Sequence, residues 1–129
     1  MGQRLLVIDD QSGIARAVAS VAASLGFDAR ALSDPQRALE TFTEFRPDVV
    51  ILDMIMPGKD GIDVLHEILL TGVPTRLVLA SGLSASYVRL AEQVAKFHNA
   101  PSVAVLRKPF RRDDIIRVLQ ATPMQADPV

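Results

Sequence analysis

The chain has 129 residues, of which 49% are hydrophobic, and this size and composition fit one domain with a single core. Its 14 basic and 15 acidic residues give a formal net charge of -1, so no overall field favours nucleic acid or an anionic membrane as a direct partner. The absence of cysteine excludes a disulfide framework and a thiolate metal site. Carboxylates follow the short N-terminal apolar run at once, so we expect a cytoplasmic protein without a signal peptide or membrane span.

Five short apolar runs, typical of buried strands, recur along the chain at fairly even intervals. They are LLVI at 5–8, a weaker FDARAL at 27–32, VVIL at 49–52, RLVLA at 76–80 and VAVL at 103–106. Each run is followed by a segment with helical spacing of its apolar residues. The five stripes, each expected to face the core, are Ile14, Val18, Val21 and Leu25; Ala38, Leu39, Phe42 and Phe45; Ile62, Leu65, Ile68 and Leu69; Tyr87, Leu90, Val94 and Phe97; and Ile115, Ile116 and Leu119.

The alternation of strands and helices predicts a doubly wound α/β fold with a five-stranded parallel sheet and helices on both faces, because each parallel crossover needs a helix. Ser33 or Asp34 before Pro35 predicts a capped helix start, and Gly26 predicts a helix C-cap. The domain is expected to span residues 1–121. Residues 122–129 lose the periodicity and form either a frayed tail or the start of a linker.

Polar residues gather where four of these strands end. Asp9 and Asp10 follow the first strand, Asp53 the third, Ser81 the fourth and Lys108 the fifth. Each has an ordinary interpretation by itself: a helix cap formed by Asp10 or the following Gln11, turn chemistry for Ser81, and a solvated charge for Lys108. Together they lie at the carboxyl edge of the sheet, where open α/β proteins bind their ligands.

Three carboxylates at one sheet edge repel one another unless a cation lies among them. Mg²⁺ takes oxygen ligands and is typically held by one or two carboxylates plus phosphate oxygens, so it is the cofactor that this cluster predicts. The two histidines, His66 and His98, lie on helical segments away from the strand ends and are expected to be structural or surface residues.

Four motifs in this order, VIDD, VVILDMIMPGKDG, LASG and LRKPF, resemble the receiver domain of bacterial two-component response regulators, such as the chemotaxis regulators. The resemblance covers roughly positions 4–120 and implies a flavodoxin-like strand order of 2-1-3-4-5 and a cis Lys108-Pro109 bond. It also implies that Asp53 accepts a phosphoryl group from a phosphohistidine, with Mg²⁺ held by Asp9, Asp10, Asp53 and the carbonyl of Ile55.

The same resemblance assigns the remaining site residues and the partners. Lys108 and Ser81 would contact phosphoryl oxygens, the donor would be a sensor histidine kinase or a histidine phosphotransfer protein, and the output would be a downstream domain or protein. The chain would catalyse its own phosphorylation but no turnover of an external substrate. Apolar Ile55 and Leu83 predict slow self-dephosphorylation, since polar groups there help to orient water.

Other interpretations of the same residues remain. A degenerate receiver could act only as a protein-interaction module. A Mg²⁺-dependent aspartyl-phosphate phosphatase would open with a DxD motif, which the adjacent Asp9 and Asp10 do not form. A flavodoxin would carry a Ser/Thr/Gly-rich phosphate loop after its first strand, and the sequence DDQSGIARA matches such a loop poorly. One departure from the receiver pattern is Val105, where receivers usually carry Tyr or Phe. We therefore expect the switch to be transmitted through residues 82–101.

Overall fold

The computed structural model describes residues 2–82, 85–100 and 103–121, so Leu83 and the predicted tail at 122–129 lie outside the described residues. The strands are β1 (Arg4–Ile8), β2 (Asp28–Leu32), β3 (Val49–Asp53), β4 (Arg76–Ser81) and β5 (Val103–Arg107). The helices are α1 (Ser12–Ser24), α2 (Ala38–Phe45), α3 (Gly61–Leu70), α4 (Ala85–Phe97) and α5 (Arg112–Ala121), and a short 3₁₀ turn, Pro35–Arg37, precedes α2. Within the described ranges, no helix combines the length and apolarity needed to cross a bilayer.

The five strands form one parallel sheet in the order β2-β1-β3-β4-β5, which confirms the predicted fold class and strand order. Successive side chains of a strand point to opposite faces, so the buried residues of the sheet divide into two layers. One layer packs under α2, α3 and α4, and the other under α1 and α5. Burial on both faces explains why the inner strands are continuously apolar.

Short polar signals set the helix boundaries. The Asp34 side chain accepts a hydrogen bond of 3.0 Å from the Gln36 N–H, and Pro35 opens the turn that leads into α2. Gly26, at a φ of 100°, follows the end of α1 as predicted, because this left-handed backbone suits a residue without a Cβ. The Asp60 side chain caps α3 by accepting from the N–H groups of Ile62 and Asp63.

The predicted core stripe of α4 is wrong at two of its four positions. Leu90 is 48% exposed and Phe97 83% exposed, whereas Ala91 and Ala95 are buried. Alanine lets a helix backbone approach the sheet closely, so the buried face of α4 is rotated away from the larger side chains that a hydropathy pattern selects. In α2, Leu39 likewise lies outside the buried face of the helix and is exposed, while the other residues of its stripe are buried.

Arg76, the first residue of β4, is buried and ties the sheet to the end of α5. Its guanidinium donates hydrogen bonds to the carbonyl oxygens of Val118, at 2.6 Å, and Leu119, at 3.3 Å. Because Arg76→Met removes these donors from carbonyls near a helix end, we expect the free energy of unfolding to fall by about 1–2 kcal/mol in urea denaturation. The matched control is Arg117→Met, which removes only an exposed ion pair with Asp114 and should change it by less than about 0.5 kcal/mol. Equal losses in the two variants would contradict this role.

Candidate functional site

The sheet register brings two of the predicted carboxylates together. Ile8 of β1 lies opposite Leu52 of β3, so Asp9, which follows Ile8, emerges beside Asp53 at the carboxyl edge of the sheet. Both aspartates are only 3% exposed, and Asp10 is half-buried. Asp9, Asp10 and Asp53 each offer a carboxylate oxygen, and these oxygens lie within 4.8 Å of one another. The predicted acidic cluster is therefore present in the fold.

Burial and the neighbouring charges together shift the pKa of Asp9 upward. Burial raises the pKa of Asp9, the N–H of Gln11 lowers it by donating to Oδ1 at 2.9 Å, and the charges of Asp53 and Asp10 raise it further. Lys108 offsets part of the repulsion. Burial is the largest of these causes, and a cation bound among the three carboxylates would favour the charged form of Asp9.

The donor set of this cluster fits Mg²⁺. It consists of carboxylate oxygens, which suit a hard cation, and the cluster contains no imidazole or thiolate. Of the two predicted cap candidates, Gln11 is the N-cap of α1, although its side chain makes no capping hydrogen bond, and Asp10 does not cap the helix. Asp10 is thus available for another role at the edge of the sheet.

Lys108 reaches back from the end of β5 to the acidic cluster. Its Nζ lies 3.0 Å from Oδ1 of Asp53 and 3.9 Å from Oδ2 of Asp9, and its side chain is partly buried. The same Oδ1 of Asp53 accepts a hydrogen bond of 3.2 Å from the Ile55 N–H. Asp53 is the last residue of the fully buried strand β3. Its carboxylate is therefore held in place by the strand, by the Lys108 ammonium group and by the Ile55 N–H.

Ser81 and the cis peptide complete the predicted set. Ser81 ends β4, is buried, and lies opposite Arg107 of β5, while its carbonyl accepts a 3.0 Å hydrogen bond from the Lys108 N–H. The Lys108-Pro109 bond is cis, as the resemblance implied. Ile55 is an exposed residue at the rim of the site.

Sequence reasoning missed the role of the β3–α3 loop, residues 54–60. The Met54 carbonyl accepts a 3.0 Å hydrogen bond from the Gly61 N–H, and the Tyr87 hydroxyl lies 3.5 Å from the same carbonyl oxygen. The sequence pattern predicts a core position for Tyr87, within residues 82–101, and indicates no partner for its hydroxyl. The signal for a second role was its phenolic oxygen, since a tyrosine in an apolar stripe usually finds a polar partner.

The two histidines lie apart from the acidic cluster. His66, on α3, and His98, one residue beyond the end of α4 and not within it, have ring centroids 5.3 Å apart. His98 also lines a groove with Pro74 and Thr75, near the residues where β4 begins and at the edge of the sheet opposite Asp53. His66 is exposed and His98 is half-buried, so their burial agrees with the expectation that both are structural or surface residues.

A parallel sheet of this order, with an acidic cluster and a lysine at its carboxyl edge, defines a class of α/β proteins, and comparison with known families identifies it. The family model described as the response regulator receiver domain matches residues 5–120, and the chain belongs to this family. The family assignment confirms the resemblance drawn from the four motifs.

Individual relatives agree with this assignment. The DNA-binding response regulator MtrA of Mycolicibacterium paratuberculosis is 32% identical over 122 residues, which are 94% of this chain and 51% of MtrA, so the chain spans about half the length of that relative. Sporulation initiation phosphotransferase F of Bacillus subtilis is 29% identical over 89% of each chain. The solved structure of chemotaxis protein CheY4 of Vibrio cholerae covers 94% of this chain and 98% of its own with a TM-score of 0.80, and at 22% identity it supports the fold.

Proposed function

We propose that the chain is a phosphorylation-activated switch of a two-component phosphorelay, in which Asp53 accepts a phosphoryl group from a phosphohistidine. The observation that carries this proposal is the position of Asp53, a buried carboxylate at a strand end, 3.0 Å from Lys108 Nζ and grouped with Asp9 and Asp10. Few structural reasons would place three carboxylates and one lysine at a single sheet edge.

The proposed reaction transfers a phosphoryl group from an imidazole nitrogen of the donor to a carboxylate oxygen of Asp53. A carboxylate oxygen of Asp53 forms the new O–P bond as the P–N bond to the donor imidazole breaks, and the imidazole leaves. The fully buried β3 fixes the nucleophile, which lowers the entropic part of the barrier. Lys108 Nζ, now paired with Asp53, is placed to donate to a phosphoryl oxygen, and the Ser81 hydroxyl would donate to another.

Mg²⁺ would be held by Asp9, Asp10, Asp53 and the Ile55 carbonyl, and when bound it neutralises charge on the transferring phosphoryl group. The grouping of three carboxylates around one lysine supports this assignment, because the site gathers more negative charge than Lys108 alone balances. The chain would catalyse its own phosphorylation and lose the phosphoryl group slowly, as the apolar Ile55 at the rim suggests.

The partners follow from the same chemistry. The donor would be a sensor histidine kinase or a histidine phosphotransfer protein in the cytoplasm, and the recipient of the signal would be an output domain or protein. The relative MtrA is named as a DNA-binding regulator, and this chain spans about half of its length. With a net charge of -1, the receiver itself is proposed to make no direct contact with nucleic acid.

Acetyl phosphate tests the proposal without a cognate kinase. We expect intact mass spectrometry to show one added phosphoryl group with Mg²⁺ and none when EDTA removes divalent cations. In Asp10→Ala the Mg²⁺ concentration that gives half-maximal labelling should rise by on the order of tenfold, since one carboxylate of the cluster is lost. The control is Asp113→Ala, a carboxylate in the first turn of α5, which should leave this concentration unchanged. Absence of labelling in the wild type, or equal labelling in EDTA, would contradict the proposal.

A further inference from the structure

The Tyr87 side chain connects α4 to the loop that follows Asp53. Tyr87 belongs to the first turn of α4, its ring packs against the core layer under α2, α3 and α4, and its hydroxyl lies 3.5 Å from the Met54 carbonyl oxygen. That distance is at the outer limit of a hydrogen bond. A displacement of a few tenths of an ångström would therefore make or break the contact.

Backbone hydrogen bonds hold Met54 in place beside Asp53, the proposed phosphoacceptor. Met54 follows Asp53 directly, its N–H donates to the Ala80 carbonyl at 3.1 Å, and its carbonyl accepts from the Gly61 N–H at 3.0 Å. The residue after it is Ile55, whose N–H donates to Asp53 itself. A group that contacts the Met54 carbonyl thus touches the segment that carries two proposed Mg²⁺ ligands, the Asp53 carboxylate and the Ile55 carbonyl.

The surroundings of Tyr87 keep its hydroxyl a donor. Burial, and then the negative charges of Asp60 and Asp63, raise the pKa of Tyr87, while the Ile62 N–H lowers it. The net direction is upward, so the phenol stays protonated at neutral pH and can donate to a carbonyl oxygen. Ser81, the proposed phosphoryl contact, ends β4 only a few residues before α4 begins.

We propose that Tyr87 is a positioning residue that couples the occupancy of Asp53 to the placement of α4 through the Met54 carbonyl. The inference rests on the proposed function. As Ser81 is drawn toward a phosphoryl group on Asp53, the start of α4 moves toward the β3–α3 loop and the contact between the Tyr87 hydroxyl and the Met54 carbonyl shortens. The rest of α4, with exposed Leu90 and Phe97, moves with it. The side chain of Val105 in β5 has no polar group and cannot make an equivalent hydrogen bond.

The composition of the chain gives a direct readout. Tyr87 is the single tyrosine and there is no tryptophan, so the tyrosine fluorescence of the full chain reports this side chain alone. On addition of Mg²⁺ and the phosphoryl analogue beryllofluoride, we expect the emission to fall, because a shorter hydrogen bond to a carbonyl quenches a phenol. Unchanged emission at saturating analogue would overturn the coupling.

A variant separates the hydroxyl from the ring. In Tyr87→Phe, amide NMR shifts caused by beryllofluoride along 86–97 should shrink to about half or less of the wild-type values, while those at 53–55 persist. Val105→Ala is the control and should keep the α4 shifts. Full α4 shifts in Tyr87→Phe would overturn the coupling and leave the proposed function standing. If the analogue moves no amide at 53–55 in the wild type, both proposals are wrong.

Discussion

Asp53→Asn is expected to abolish phosphoryl capture from acetyl phosphate completely. The substitution keeps the size and shape of a side chain that is 3% exposed, but it replaces the proposed carboxylate nucleophile by an amide and removes one of the three charges of the acidic cluster. The measurement is intact mass after incubation with acetyl phosphate and Mg²⁺. The wild type should gain one phosphoryl group and Asp53→Asn none.

The control for this experiment is a carboxylate outside the site. Asp63 lies in the first turn of α3 and is exposed, and Asp63→Asn should be labelled as the wild type is. We expect Asp53→Asn to fold, because Lys108 keeps Asp9 within 3.9 Å as a second anionic neighbour. Retained far-ultraviolet circular dichroism in this variant would then show that the loss of labelling is chemical and not a loss of structure. Equal labelling of the wild type and Asp53→Asn would place the acceptor elsewhere.

Much of the site could be predicted because it depends on strand ends. An apolar run that stops at a carboxylate shows where a strand delivers a charge, and parallel strands deliver their ends to one edge. Asp9, Asp53, Ser81 and Lys108 were all placed by this argument, and the structure brings them to one edge of the sheet. The strand order could not be predicted in this way, because periodicity shows that strands alternate with helices but does not show which strand is central. That order came from the resemblance.

What the sequence did not reveal depends on packing between elements distant in the chain. Hydropathy predicts that Leu90 and Phe97 lie on the buried face of α4, but Ala91 and Ala95 are buried there and the two larger side chains are exposed. The contact of Tyr87 with Met54 joins residues 33 apart, and no local pattern encodes it. The start of α3 shows the same limit, because the reason for a glycine at position 61 becomes visible only in three dimensions.

Gly61→Ala is expected to lower the free energy of unfolding by about 3 kcal/mol, because no space exists for a methyl group at this position. A Cβ on Gly61 would collide with Met54 Cα and would lie 2.8 Å from both the Asp53 carbonyl oxygen and Met54 Sδ. Two of these atoms are backbone at the end of β3, so relief of the clash must move the strand end that carries Asp53. We therefore expect slower labelling by acetyl phosphate together with the loss of stability in urea denaturation.

Gly13→Ala provides the matched control, since Gly13 also lies in the first turn of a helix, α1, close to the same edge of the sheet. A Cβ there meets no atom within 4 Å. Alanine should leave stability unchanged or raise it by up to about 0.5 kcal/mol, because it reduces the conformational entropy of the unfolded chain. If Gly61→Ala and Gly13→Ala unfold at the same urea concentration, the close approach of α3 to β3 is not a constraint on the acceptor strand. A stability loss confined to Gly61→Ala, with slower labelling, would show that the packing of this glycine helps to hold Asp53 in place.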